Sequence, residues 1–81
     1  MKLEFTKEGR VIYQGHDITD KAKPNRGGYL ELRLNWHEIT FNGLVHREVF
    51  KAHSSEYKAN KPVRHRDKNK LNNRLENLYQ I

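Results

Sequence analysis

Five residues, Val63-Arg64-His65-Arg66-Asp67, place a histidine inside a short β-prone run with an acid two positions on, and an asparagine-rich run follows from Asn69 to Leu78. A neutral imidazole is a side chain that can accept a proton near physiological pH. With Asp67, the closely spaced Asn69, Asn72, Asn73 and Asn77 make a pattern too structured for a random basic tail. Lys61, Arg64, Arg66, Lys68 and Lys70 cluster about His65, a basic stripe that attracts a polyanion. Proton transfer beside a phosphate-attracting surface is the chemistry these types and spacings allow.

The elements that must position them can be read from periodicity. From Leu44 to about His53, Leu44, Val45, Val49, Phe50 and Ala52 partly follow helical spacing, leaving Arg47, Glu48 and Lys51 to face water. Ser54 to Asn60 is a polar connection, and Lys61-Pro62 fixes an extended approach to the strand around Val63. Upstream, Tyr29 to Leu34 alternates, with Leu30, Leu32 and Leu34 on one face, as a half-buried strand requires. Glu38–Phe41 is its expected partner across Asn35-Trp36-His37, and Asn42-Gly43 is expected to break the sheet. Leu3–Phe5 and Val11–Tyr13 read as a hairpin around Gly9. His16 to Gly28, with Pro24, Asn25, Gly27 and Gly28, reads as a mobile loop with a helical turn after Asp17. The final Leu78–Ile81 is again β-prone. The expected class is α+β: N-terminal β-hairpins, one central helix and a compact module around His65.

Val45-His46-Arg47-Glu48-Val49-Phe50, the Val63–Asp67 run and Asn72-Asn73-Arg74-Leu75-Glu76-Asn77-Leu78 together resemble the HNH endonuclease family, in its small phage and intron-borne branch. The likeness covers roughly the second half of the chain. It implies a partial ββα-metal module, His65 as the general base, and Asn77 as the middle asparagine that ties the loop and helps hold the histidine. It also implies structural roles for Asp67, Asn72 and Asn73, and a helix carrying His46 and Arg47 beside the module. Members of the family hydrolyse phosphodiesters with one divalent cation, Mg²⁺ or another, which stabilises charge on the scissile phosphate.

Two departures bear on that activity. Many active members have an aspartate before the base histidine, where this chain has Arg64, a guanidinium that cannot ligate a cation. The last motif residue of the family lies about two turns beyond the middle asparagine, whereas this sequence ends at Ile81, four residues after Asn77. Strand alternation would put Asp67 on the face of His65, yet two ligands make a weak site. No metal ligand is therefore assigned. The expectation is a nucleic-acid-binding protein with a degenerate or incomplete nuclease site, contacting double-stranded DNA through Arg47, Lys61, Arg64, Arg66, Lys68 and Arg74. The alternatives are a working metal-dependent endonuclease with His65 and Asn77 in its site, and a phage-encoded inhibitor that binds a host protein.

Length and composition agree with a small domain spanning 1–81, divided into a β-rich part, 1–41, and a basic HNH-like part, 42–81. With 35% hydrophobic and 32% charged residues, 81 positions support only a thin core. Self-association or a partner is one way to reinforce it. The net charge of +6 is uneven: residues 1–41 carry seven basic and six acidic side chains, residues 42–81 nine and four. There is no cysteine, which excludes disulfides and thiolate metal sites. No apolar run is long enough to span a membrane, and the expected location is the cytoplasm, that of the host if the chain is phage-borne. His16, His37 and His53 read as exposed; Trp36 sits at a hairpin tip; Tyr29, Tyr57 and Tyr79 read as partial core.

Overall fold

The computed structural model of the chain describes residues 3–36 and 39–80. Strands β1 (Leu3–Phe5), β2 (Val11–Tyr13) and β3 (His16–Asp17) form an antiparallel sheet. The expected hairpin is present, with Phe5 opposite Val11. The β2–β3 connection is a two-residue turn in which Gln14 and Gly15 both have positive φ, 52° and 79°. That geometry matches the twist of the paired strands.

β4 (Lys23–Pro24), β5 (Leu30–Asn35) and β6 (Thr40–Leu44) make a second antiparallel sheet. The segment expected to be a mobile loop, 16–28, is therefore structured. Asp17 organises it by accepting bonds from Thr19 at both the backbone N–H (2.9 Å) and the hydroxyl (2.6 Å), while Thr19 Oγ1 accepts from Val11 N–H. These bonds, with Arg10 Nε donating at 2.9 Å, favour the carboxylate and lower the Asp17 pKa to about 2. The expected helical turn appears as a 3₁₀ turn over Thr19–Lys21.

Alternation along β5 holds: Leu32 and Leu34 are buried while Arg33 is exposed. The expected break at Asn42-Gly43 is absent, because β6 continues through both, with Asn42 opposite Arg33 and Gly43 opposite Leu32. Gly43 serves packing there. A Cβ on it would lie 2.9 Å from the Phe41 ring. Two of the residues expected at this hairpin, His37 and Glu38, lie outside the described residues.

β6 leads straight into α1 (Val45–His53), whose buried side chains are Val45, His46, Val49 and Phe50. Arg47 and Lys51 are exposed, as their helical spacing predicts. Beyond the 54–63 connection, β7 (Arg64–His65) pairs antiparallel with β8 (Leu78–Tyr79), with His65 opposite Leu78. Tyr79 ends the described β-prone tail, since Ile81 lies outside the described residues. One hydrophobic cluster takes Phe5, Val11 and Tyr13 from the first sheet, Leu32 and Leu34 from the second, Val49 and Phe50 from α1, Val63 from the residue before β7, and Leu78 from β8. Class α+β, with small antiparallel sheets and one helix, is thus as expected.

Candidate active site and basic surface

His65 is buried, 8% exposed, and enters a stack of rings drawn from three parts of the chain. Its centroid is 4.8 Å from that of His46 on α1 and 6.0 Å from that of Tyr29, just ahead of β5; Tyr29 and His46 stack at 5.1 Å. Lys70 closes the arrangement: its Nζ lies 4.7 Å from the Tyr29 ring centroid and donates to the Gly27 carbonyl at 2.7 Å. Burial chiefly, then the neighbouring His65 and Arg47 charges, lower the His46 pKa to about 4, so this ring is neutral at physiological pH.

His65 Nε2 is 2.8 Å from Asn73 Oδ1. The carboxamide oxygen can only accept, so Nε2 carries the proton and the neutral ring keeps its lone pair on Nδ1. Nδ1 has no hydrogen-bond partner among the described residues. An imidazole fixed through one nitrogen with the other free is competent to take a proton. Asn73, rather than Asn77, meets the ring.

Asn77 holds the loop instead. Its Oδ1 accepts from Asp67 N–H (3.1 Å), and its Nδ2 donates to Asp67 Oδ1 (2.9 Å) and to the Asn72 carbonyl (2.8 Å). Asp67 is the hub of the same loop, accepting from Asn72 Nδ2 (2.9 Å), Asn69 N–H (2.8 Å) and Asn77 Nδ2. These bonds, the one from Asn72 foremost, stabilise the carboxylate and lower its pKa. The strand ends at His65 and the chain turns, so Asp67 is not one pleat along from His65 as alternation would have it. Lys68 makes that turn with φ 63°.

A support from the far end of the chain was not legible in the motif. The β1–β2 turn lies against the asparagine loop: Leu75 N–H donates to the Lys7 carbonyl at 2.7 Å, and Gly9, φ 84°, comes so close that a Cβ there would lie 2.8 Å from the Asn73 backbone. Only glycine suits both the conformation and the approach. Two further ties were equally hidden: the His53 ring nitrogen bonds the Phe5 carbonyl, and Gln80 clamps the 58–61 connection through the Lys58 N–H and carbonyl and the Lys61 carbonyl, each at 2.8 Å.

All six cations named for phosphate contact are exposed. Arg64 makes no ion pair among the described residues. Arg66 lies 5.2 Å over the Tyr79 ring, and Arg74 is 3.3 Å from Glu76. Arg47 is held by donating from Nε to Tyr57 Oη (3.1 Å) and from Nη2 to the Ala59 carbonyl (3.3 Å). Of the residues named as exposed histidines, His16 is exposed and His37 lies outside the described residues. Trp36, 37% exposed, packs against Tyr13.

Residues 43–81 match the HNH endonuclease family. They form an HNH module. Among solved structures, the HNH homing endonuclease I-HmuI, which binds and cleaves DNA, superposes with a TM-score of 0.78 at 27% identity over 98% of this chain. The chain spans 45% of that protein. No curated protein matches the sequence. The likeness to I-HmuI thus runs through the β-rich part as well as the HNH module.

The divalent cation implied by the family does not fit the residues of this HNH module. At the position before His65 stands the Arg64 guanidinium, and both Asp67 oxygens already accept N–H bonds. Hard cations require several oxygen ligands in one place. Among the described residues, no three His, Cys, Asp or Glu side chains come together in that way.

Proposed function

We propose that this chain binds double-stranded DNA through the basic surface that straddles His65, and that its nuclease site is degenerate. The observation that carries the reading is Arg64: an exposed guanidinium without an ion pair among the described residues, adjacent in sequence to a buried and oriented imidazole. Where a carboxylate would draw a cation to the phosphate, the guanidinium contacts the phosphate itself, and it does so bidentately. Lys61, Arg66, Lys68 and Arg74 extend the positive surface on either side, with Arg47 on the adjoining helix. Such contacts set affinity and register without reading base sequence.

One observation favours hydrolysis as a second reading. His65 Nδ1 keeps a lone pair and is held by Asn73, the arrangement of a base awaiting water. Direct binding to the phosphate by Arg64 offers electrostatic stabilisation, though a weaker one than a cation and a carboxylate together.

The test is a salt titration of binding to a labelled duplex by fluorescence anisotropy. If six cations neutralise phosphates, affinity falls roughly 10³-fold between about 50 and 200 mM salt. Affinity that is flat with salt, or no binding at low salt, would overturn the reading.

A further inference from the structure

We infer that the cavity beside His46 receives one unpaired nucleotide of the bound nucleic acid, so that the protein favours DNA carrying a base outside the helix. The inference rests on the DNA-binding reading and adds the substrate class. The cavity has a volume of about 380 Å³ and lies between the start of α1 and the 59–63 approach to β7. Ligand cavities range over roughly 300–1,000 Å³. This one is at the small end, the size for a single base with its sugar and too small for a folded peptide element.

Its chemistry is divided in the way a nucleotide is divided. Tyr29, Leu44, Pro62 and Val63 supply an apolar wall, while Arg47 and Lys61 also line it and supply the only formal charge. A nucleobase is flat and uncharged, and proteins that take up an extruded base hold it between aromatic or apolar side chains. The phosphate attached to it then meets the two cations. Two other cavities lack that division. The one of about 550 Å³ next to Phe50 and Tyr79 mixes Glu56 with Lys58 and Arg66, and the one bounded by Lys21, Lys23, Arg26 and Arg33 has only Pro24 as an apolar wall residue.

The cationic side is built before any ligand arrives. Arg47 is fixed by Tyr57 and by the Ala59 carbonyl, which leaves Nη1 without a partner among the described residues. The Lys61 carbonyl is fixed by Gln80, and Pro62 restricts the backbone beyond it. Ordering these groups in advance lowers the entropy lost on binding. The cavity also adjoins the imidazole pair: Val63 is two residues from His65, and His46, which lines the cavity, has its ring 4.8 Å from that of His65. A base in the cavity would set its own phosphate at the edge of the surface proposed for the duplex.

The experiment uses the full chain and three otherwise identical duplexes: fully paired, with a single bulged 2-aminopurine, and with a bulged abasic residue. Binding is read by anisotropy and occupancy of the cavity by 2-aminopurine fluorescence. Base stacking in a protein site predicts that the bulged base raises affinity about tenfold over both other duplexes. Its fluorescence should change on binding. Ala59→Leu, on an exposed residue that lines the cavity, should make affinity for the bulged and paired duplexes equal while keeping the backbone carbonyl that holds Arg47. Equal affinity for the three duplexes with unchanged fluorescence would overturn the cavity assignment while DNA binding stood. So would a preference that survives in a folded Ala59→Leu protein, or one shared by the abasic bulge. Failure to bind any of the three would instead overturn the DNA-binding reading and the cavity assignment with it.

Discussion

Replacing Asn77 with alanine should be among the most destabilising changes in the HNH module that leave the hydrophobic core intact. The carboxamide is 8% exposed and makes three bonds: it accepts from Asp67 N–H and donates to Asp67 Oδ1 and the Asn72 carbonyl. A hydrogen bond contributes about 0.5–1.5 kcal/mol net, and more where a partner is charged, as Asp67 is. Three bonds give about 2–4 kcal/mol. A domain of this length has on the order of 4–12 kcal/mol in all, so the loss is a large share. In a small domain each kcal/mol lowers Tm by about 4–8 °C, and a fall of at least about 10 °C is expected in a circular-dichroism melt. Asn77→Asp adds a signature of its own. It keeps the acceptor for Asp67 N–H but sets a second carboxylate against Asp67 Oδ1, raising its own pKa when folded. A raised carboxyl pKa means stability present at low pH and lost as pH rises. The aspartate variant should therefore approach the wild type as pH falls through about 4 and diverge from it above. A loss below about 0.5 kcal/mol for Asn77→Ala, or no pH dependence in the difference for Asn77→Asp, would refute the assignment of Asn77 as the bolt of the loop.

Other changes test other parts. His46 has a folded pKa of about 4 against an ordinary 6.5, so the unfolded chain binds the extra proton; stability contributed by the neutral ring is complete above about 6.5 and falls as pH drops toward 4, by at most about 3 kcal/mol. Urea titrations across that range should show the fall, and His46→Phe should flatten it. Gly9→Ala forces a Cβ within 2.8 Å of the Asn73 backbone at φ 84°, and should lower stability by about 1–3 kcal/mol in the same titration. Arg64→Ala should weaken duplex binding at all sequences and reduce the slope of log affinity against log salt by about one, read by anisotropy.

Much of the HNH module was legible because its short-range grammar survives. The helix over Val45–His53 followed from apolar spacing, and the cluster of Asp67, Asn72, Asn73 and Asn77 from its match to the HNH motif. The strand β5 was visible in the Leu30–Leu34 alternation. Propensity misled where packing decides. Gly43 reads as a breaker, yet it sits in β6 because the Phe41 ring covers it. Segment 16–28 reads as loop, yet Asp17 and Thr19 convert its polarity into a bonded turn between two short strands. Motif spacing named Asn77 as the residue that helps hold the histidine, and the structure gives that bond to Asn73. The rest was invisible for a common reason: Gly9 with Asn73, Tyr29 and Lys70 with the histidine pair, His53 with Phe5 and Gln80 with the 58–61 connection join positions far apart in the chain. No local pattern encodes those pairings.

A plasmid assay with and without Mg²⁺ or Mn²⁺, comparing the wild type with His65→Ala and read for mobility shift and strand breakage together, tests the central claim most directly. An exposed guanidinium at position 64, next in sequence to the oriented imidazole, predicts a salt-sensitive shift that needs no cation, and no cation-dependent breakage that His65→Ala abolishes. Cation-dependent nicking that disappears in His65→Ala would contradict it.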